Sequence, residues 1–131
     1  MLFSINTSAL NYSTLLLYFL SGILIITIID TIGAILSNVL QFKYIYLIVF
    51  SAALYIFMGY FVSRDFNLIM VIAINALLGL YDGSAGLWLS LKLNANMGQA
   101  RVETERMPGV SVAITMMIIA IVLGILGHVL N

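Results

Sequence analysis

Two aspartates stand inside long apolar runs, Asp30 in "IIDTIGAILS" (residues 28–37) and Asp82 in "LYDGSAGLWLS" (residues 80–90). Each is followed by glycine three or four residues on and by serine seven or eight residues on. The pairs are Gly33 and Ser37 after Asp30, and Gly86 and Ser90 after Asp82. A carboxyl in apolar surroundings has three outlets: it keeps a proton, it accepts hydrogen bonds from nearby hydroxyls or amides, or it holds a cation. The first and last are the chemistry of ion pathways, while the second is a structural bond between helices.

Helical phase widens the candidate set. Asn75, Gly79, Asp82 and Gly86 recur at i, i+4, i+7 and i+11 and share a face. Ile23, Thr27, Asp30, Ala34, Ser37 and Gln41 do the same in the earlier run, with Gly33 beside them. The proton- or ion-binding candidates are therefore Asp30, Asp82, Asn75, Ser37, Ser84 and Ser90. The residues expected to let helices approach closely are Gly33, Gly79, Gly83, Gly86, Ala120 and Gly124, with Gly79 and Gly83 forming a GxxxG pair. Gly83-Ser84-Ala85-Gly86 is also a weak helix segment, each glycine costing about 1 kcal/mol relative to alanine. A loosened backbone next to a carboxylate suits a small-cation site, as in transporters with broken helices.

The elements that must position these residues are membrane spans. The chain has 131 residues, of which 63% are hydrophobic and only 8% charged. Soluble domains carry about 25% charged residues, so a water-facing surface cannot be made here. Spanning helices need roughly 20 mostly apolar residues, and four runs qualify: about 15–40, 44–62, 66–91 and 109–130. The fold class expected is an all-α integral membrane protein, a four-transmembrane-helix bundle in a single domain over residues 1–131. The similar phrases around Asp30 and Asp82 suggest a tandem repeat of two parallel hairpins. Met1–Thr14 is read as an uncharged polar tail, and residues 92–108 as a polar loop with mixed charge at Arg101, Glu103, Glu105 and Arg106.

Charge placement sets an expected orientation. Lys43, Lys92, Arg101 and Arg106 fall on one side and Arg64 on the other. The positive-inside rule then puts loops 41–43 and 92–108 in the cytoplasm and both termini outside. Asp30 lies 13 residues before Lys43 and Asp82 lies 10 before Lys92. At 1.5 Å per residue these are about 20 and 15 Å, near the middle of a hydrocarbon layer about 30 Å thick. An Asp at a helix centre costs about 2.5–3.5 kcal/mol to insert, against about −0.3 to −0.6 for each Leu or Ile. No basic residue lies within two turns of either Asp along its own helix, so at least one carboxyl is expected to carry a proton near neutral pH when no cation is bound.

Other classes lose on inventory. Net charge is zero, which leaves no basic surface for nucleic acid. There is no cysteine, and the one histidine, His128, sits at the far end of the last run. That excludes thiolate chemistry, a zinc site of the usual ligands, and a serine–histidine pair with Ser84. No metal and no cofactor is expected. "GLYD" (residues 79–82) resembles the motif of GxGD aspartyl intramembrane proteases over four residues, one glycine short, while the first run offers only "TIID". An enzyme is therefore not the expectation. The sequence reads as a small transporter or channel subunit moving a proton or small cation through Asp30 and Asp82. The alternative is an accessory subunit of a larger membrane complex in which these aspartates are packing contacts. The expected partners are the lipid bilayer and further membrane chains, in a homo-oligomer or with other subunits.

Overall fold

A computed structural model describes residues 2–93, 95 and 109–131, with side chains placed at 12–43, 46–93, 95 and 110–131. Apart from Lys92, Leu93 and Ala95, the polar loop expected at 92–108 lies outside the described residues. The rest is helical apart from short joints at 41–43 and 66–67 and the last residue. α1 runs Leu2–Leu40, a 3-10 turn covers Tyr44–Leu47, and α2 is Ile48–Asp65. α3 (Leu68–Tyr81) passes through a π-helical turn (Asp82–Gly86) into α4 (Leu87–Lys92), and α5 is Gly109–Leu130. Four stretches are long and apolar enough to cross a membrane: Tyr12–Leu40, Ile48–Asp65, Leu68–Lys92 and Val110–Leu130.

The first helix starts well before residue 15. At 39 residues it is about 58 Å long, because the polar tail contains neither proline nor glycine to break it. Gln41 ends it by entering the left-handed region at φ 59°, the usual way a helix is stopped. At the other end of the bundle α2 stops at extended Phe66, whose N–H still reaches the Val62 carbonyl. Asn67 then opens α3 by accepting from the Met70 N–H at 3.1 Å, a side-chain N-cap. The Asn131 side chain bonds Ser63 Oγ at 2.7 Å, so the C-terminus lies at this same Asp65 end. The opposite end, where α1 gives way to α2, is the Gln41 end.

α5 lies along both α2 and α3, and the three form the close-packed part of the molecule. Gly59 and Gly124 bring α2 and α5 into backbone contact, and Gly127 meets the Ile56 carbonyl in the same way. Gly79 faces Met116, Met117 and Ala120, while Gly83 faces Val112 and Ala113. Small residues permit this approach, which is how helices associate where lipid is as apolar as the side chains. α1 packs on α2, α3 and α4 but, among the described residues, its backbone does not come close to that of α5. Its outer face, including Leu16, Leu20, Leu24, Ile28, Ile32 and Val39, is exposed and suits lipid. The two hairpins thus pack unlike one another, and nothing in the packing supports a tandem repeat.

Candidate functional site

Asp30 and Asp82 come together. A Cβ built on Gly86 would run into Asp30 Oδ2 and would lie 3.2 Å from Asp82 Oδ1. Two carboxyls from α1 and from the π turn therefore converge over the same hydrogen atom of one glycine. Both are buried, at 2% and 8% exposure. Any side chain at position 86 would take up the space one of these carboxyls fills.

The π turn sets this geometry. The N–H of Leu87 reaches the Asp82 carbonyl five residues back, a wider turn than the α-helix makes. Such bulges are uncommon and recur at functional sites. Asp-Gly-Ser-Ala-Gly suits one because none of its residues is β-branched and two are glycine. The two glycines make room for different neighbours, Gly83 for α5 and Gly86 for the carboxyls. Asp82, Gly83 and Gly86 are buried, whereas Ser84 is exposed and turns its hydroxyl back to the Leu80 carbonyl at 2.5 Å.

α2 supplies hydrogen-bond donors. The Tyr55 hydroxyl, on a ring only 1% exposed, donates to Asp82 Oδ2 at 2.5 Å. Ser51, one turn earlier and also buried, hydrogen-bonds the same carboxyl. Hydrogen bonds to a carboxylate are shorter and about twice as strong as neutral ones. One turn from Asp30 a second hydroxyl pair ties α1 to α3. Thr27 Oγ1 donates to the Ile23 carbonyl at 2.8 Å, which leaves the Tyr81 hydroxyl to donate to Thr27 at 2.7 Å.

The remaining sequence candidates fall in three places. Ser37 and Ser90 are fully buried toward the Gln41 end, their hydroxyls bonded to the Ala34 and Gly86 carbonyls at 2.9 and 3.0 Å. Asn75 is also fully buried but lies two turns from Asp82, about 10 Å along the helix, and its amide packs against Gly124. Its Nδ2 donates to the Val71 carbonyl at 3.0 Å, and its Oδ1 has no hydrogen-bond partner. Ser84 is outside the carboxyl cluster. Of the packing candidates, Gly79, Gly83, Ala120 and Gly124 lie in the α5 contacts and Gly33 lies against Leu47 of the 3-10 turn.

Sequence reasoning missed Tyr55, Ser51 and Tyr81. Ser51 and Tyr55 stand four residues apart in an otherwise apolar stretch, and that spacing was a usable signal for a shared helix face. Lys92, on the same stretch of chain as Asp82, lies over the Trp88 ring, 5.6 Å from its centre, a cation–π contact. Among the described residues no third Asp, Glu or His joins the two carboxyls in a metal-binding group.

Comparison with protein-family models, with curated proteins and with solved structures yields no match. Function here must therefore be argued from the site.

Proposed function

We propose that this chain is a membrane transport subunit, passing a proton or a small cation by way of Asp30 and Asp82. The observation that carries the reading is the convergence of two carboxyls from different spans on Gly86, backed by two hydroxyls from a third. Ionisable groups within spans are costly and mark ion and proton pathways. A purely structural bond needs one carboxyl and a donor, and a second carboxyl brought alongside adds repulsion whenever both are charged. The expected orientation places the Gln41 end in the cytoplasm and the termini outside, following Lys43, Lys92, Arg101 and Arg106. Four spans give little room for a sealed pathway, and the chain is proposed to work as a homo-oligomer or with other membrane subunits.

Ion flux in proteoliposomes tests this, comparing the natural chain with Asp82→Asn. Asparagine keeps hydrogen bonding but cannot hold a charge. Loss of flux with normal assembly supports transport. Unchanged flux removes Asp82 from the pathway.

One specific observation favours the accessory-subunit alternative. α1, whose backbone stays clear of α5, is tied to the rest by Thr27–Tyr81 and Tyr18–Asp65 as well as by the carboxyl cluster. All of these can act as interhelical bonds. In that reading Asp82→Asn leaves every ion flux at the level of empty liposomes, as does the natural chain. Native mass spectrometry from mild detergent then shows a different protein bound.

A further inference from the structure

Leucines and isoleucines on the outside of a span carry no message, because lipid tails are as apolar as they are. Polar residues among them do, since hydrocarbon offers a hydroxyl or an amide no partner. α1 has three such residues on one outward stripe, Ser21, Thr31 and Asn38. Ser21 and Asn38 are exposed and Thr31 is half-buried. The span Tyr12–Leu40 has its middle at residue 26, so Ser21 and Thr31 each lie five residues from it. That is about 8 Å along the helix, well inside the apolar layer.

Other hydroxyls of the spans bond back to carbonyls of their own helix: Thr27 to Ile23, Ser37 to Ala34, Ser90 to Gly86 and Thr115 to Ser111. Among the described residues, the side chains of Ser21, Thr31 and Asn38 make no such bond.

The stripe also keeps a strict period. Leu17, Ser21, Leu24, Ile28, Thr31, Ile35 and Asn38 follow at alternating steps of four and three, a repeat of 3.5 residues. A helix of 3.6 residues per turn holds such a stripe against a neighbour by winding round it with a left-handed twist. The same register runs back through Phe3, Thr7, Leu10 and Thr14 to the start of α1. Within the chain α1 packs through a second stripe of this spacing, Ile23, Ile26, Asp30, Gly33 and Ser37. On the outward stripe Leu17, Leu24, Ile28 and Ile35 are all exposed, so the chain itself leaves it open.

The partner that this stripe fits is its own copy. Copies of one chain insert the same way round, so two α1 helices meet in parallel. In a parallel pair, residues of the same number face each other across the two-fold axis. A hydroxyl both donates and accepts, and so does a carboxamide, which makes Ser21, Thr31 and Asn38 each their own complement. A different span would need matching polar groups at the same three levels. α1 is free to meet a copy because it lies at the edge of the bundle, with its backbone clear of α5.

We infer that two copies of this chain pair in parallel through α1 along the stripe from Leu17 to Asn38, with Ser21, Thr31 and Asn38 as interhelical hydrogen bonds. This assigns the homo-oligomer a surface and does not depend on what Asp30 and Asp82 carry.

The chain has no cysteine, so single cysteines can read the interface directly in membranes. Under mild oxidation, Ser21→Cys, Leu24→Cys, Ile28→Cys and Thr31→Cys are expected to form disulfide-linked dimers at least tenfold faster than Ile25→Cys, Ile32→Cys or Leu36→Cys. Those three positions are exposed on α1 but lie off the stripe. Equal rates on and off the stripe, or fast linkage only off it, overturn the inference. A second measurement asks whether the polar groups hold the pair. Ser21→Ala, Thr31→Val and Asn38→Leu are combined in one full chain, and pairing is followed by energy transfer between dye-labelled copies in vesicles at increasing lipid-to-protein ratio. The dissociation constant is expected to rise at least tenfold. A natural chain that stays monomeric at every dilution, or pairing that the triple variant leaves unchanged, overturns the inference. Neither readout involves ion flux, so failure here leaves the transport reading standing.

Discussion

The two seams of this bundle are made of different materials. Where α5 meets α2 and α3, the contacts are backbone against backbone, made by Gly59, Gly124, Gly127, Gly79 and Gly83. Where α1 meets the other helices, they are side chain against side chain. Leu78 fills the space at Gly22, Thr27 meets Tyr81, and Asp30 reaches Gly86. At these glycines the first seam is held by dispersion at close range between groups that carry no charge. The second contains hydroxyls and carboxyls that can rotate, exchange hydrogen bonds and gain or lose a proton. A small protein that must be both firm and reactive can separate the two demands in this way. It keeps one of the two carboxyls, Asp30, on the helix whose backbone stays clear of α5.

The sharpest way to break this contrast is to put the same methyl group into each seam. A Cβ on Gly59 would collide with the Gly124 carbonyl oxygen and with the carbon atoms beside it. Backbone cannot step aside, so Gly59→Ala is expected to cost about 3 kcal/mol, the upper range for overpacking, and to cut the yield of folded protein. A Cβ on Gly86 would collide with the end of the Asp30 side chain, which can swing away by rotation about its own bonds. Gly86→Ala is expected to cost about 1 kcal/mol and yet to lower ion flux as severely as Asp82→Asn. Thermal unfolding in detergent beside liposome flux separates the two. Equal stability losses from both variants would erase the distinction between the seams.

How much of this was open to reading from the sequence depended on how local each signal is. Four spans were legible because hydrophobicity over about 20 residues is a property of composition. The partnership of Asp30 with Asp82 was suggested by similar phrases and similar depth, but contact between residues 52 apart depends on how helices rotate against one another. The donor to Asp82 was hidden for the same reason. Tyr55 reads as one more aromatic residue in a span until α2 is turned toward the π turn. The π turn itself was visible only as a weak helix segment, because small residues permit several backbone outcomes and tertiary contacts choose among them. α1 runs on to Leu2, ahead of the apolar run expected from about residue 15, because the polar residues there include no proline or glycine to stop it.

The next largest effect is expected within the polar seam. Tyr55→Phe removes the hydroxyl bonded to Asp82 and leaves the ring to fill the same buried space. Hydrogen bonds to charged groups are worth about 1.5–3 kcal/mol. A loss near 2 kcal/mol is expected with Asp82 ionised, and a smaller one at a pH low enough to protonate it, since a neutral acceptor binds the hydroxyl less strongly. Chemical unfolding at two pH values checks this. A loss that is the same at both would mean that Asp82 does not change charge between them.

Asn75 tests the contrast from the other side, as a polar residue caught in the apolar seam. Its Oδ1 is buried without a partner, a condition that costs about 1–3 kcal/mol. Leucine has the same branched outline and no polar atom to satisfy, although its bulkier methyl groups must fit against Gly124, which touches the amide in the natural chain. Removal of the unsatisfied oxygen offsets the tighter packing, so Asn75→Leu is expected to change stability by less than about 1 kcal/mol and to leave ion flux unchanged. Greater destabilisation would mean that the amide does more than fill space beside Gly124.

The smallest effect belongs at the Asp65 end, where α1 is tied down in contact with water. The Tyr18 hydroxyl donates to Asp65 Oδ2 at 2.6 Å, and its ring packs edge-on to Phe66 with centres 6.5 Å apart. Geometrically this bond resembles Tyr55 to Asp82: the same donor type, the same acceptor type and nearly the same length. Its surroundings differ, because Asp65 is exposed and its carboxylate loses little when water replaces the tyrosine. Net hydrogen-bond contributions of about 0.5–1.5 kcal/mol are usual where water competes, and Tyr18→Phe keeps the ring contact with Phe66. A loss of about 0.5 kcal/mol is expected, with flux unchanged. Set beside Tyr55→Phe, it isolates burial as the variable. Equal losses from the two variants would show that the buried seam gains nothing from its dry surroundings, and would weaken the case that the carboxyls at Gly86 differ in kind from an ordinary surface acid.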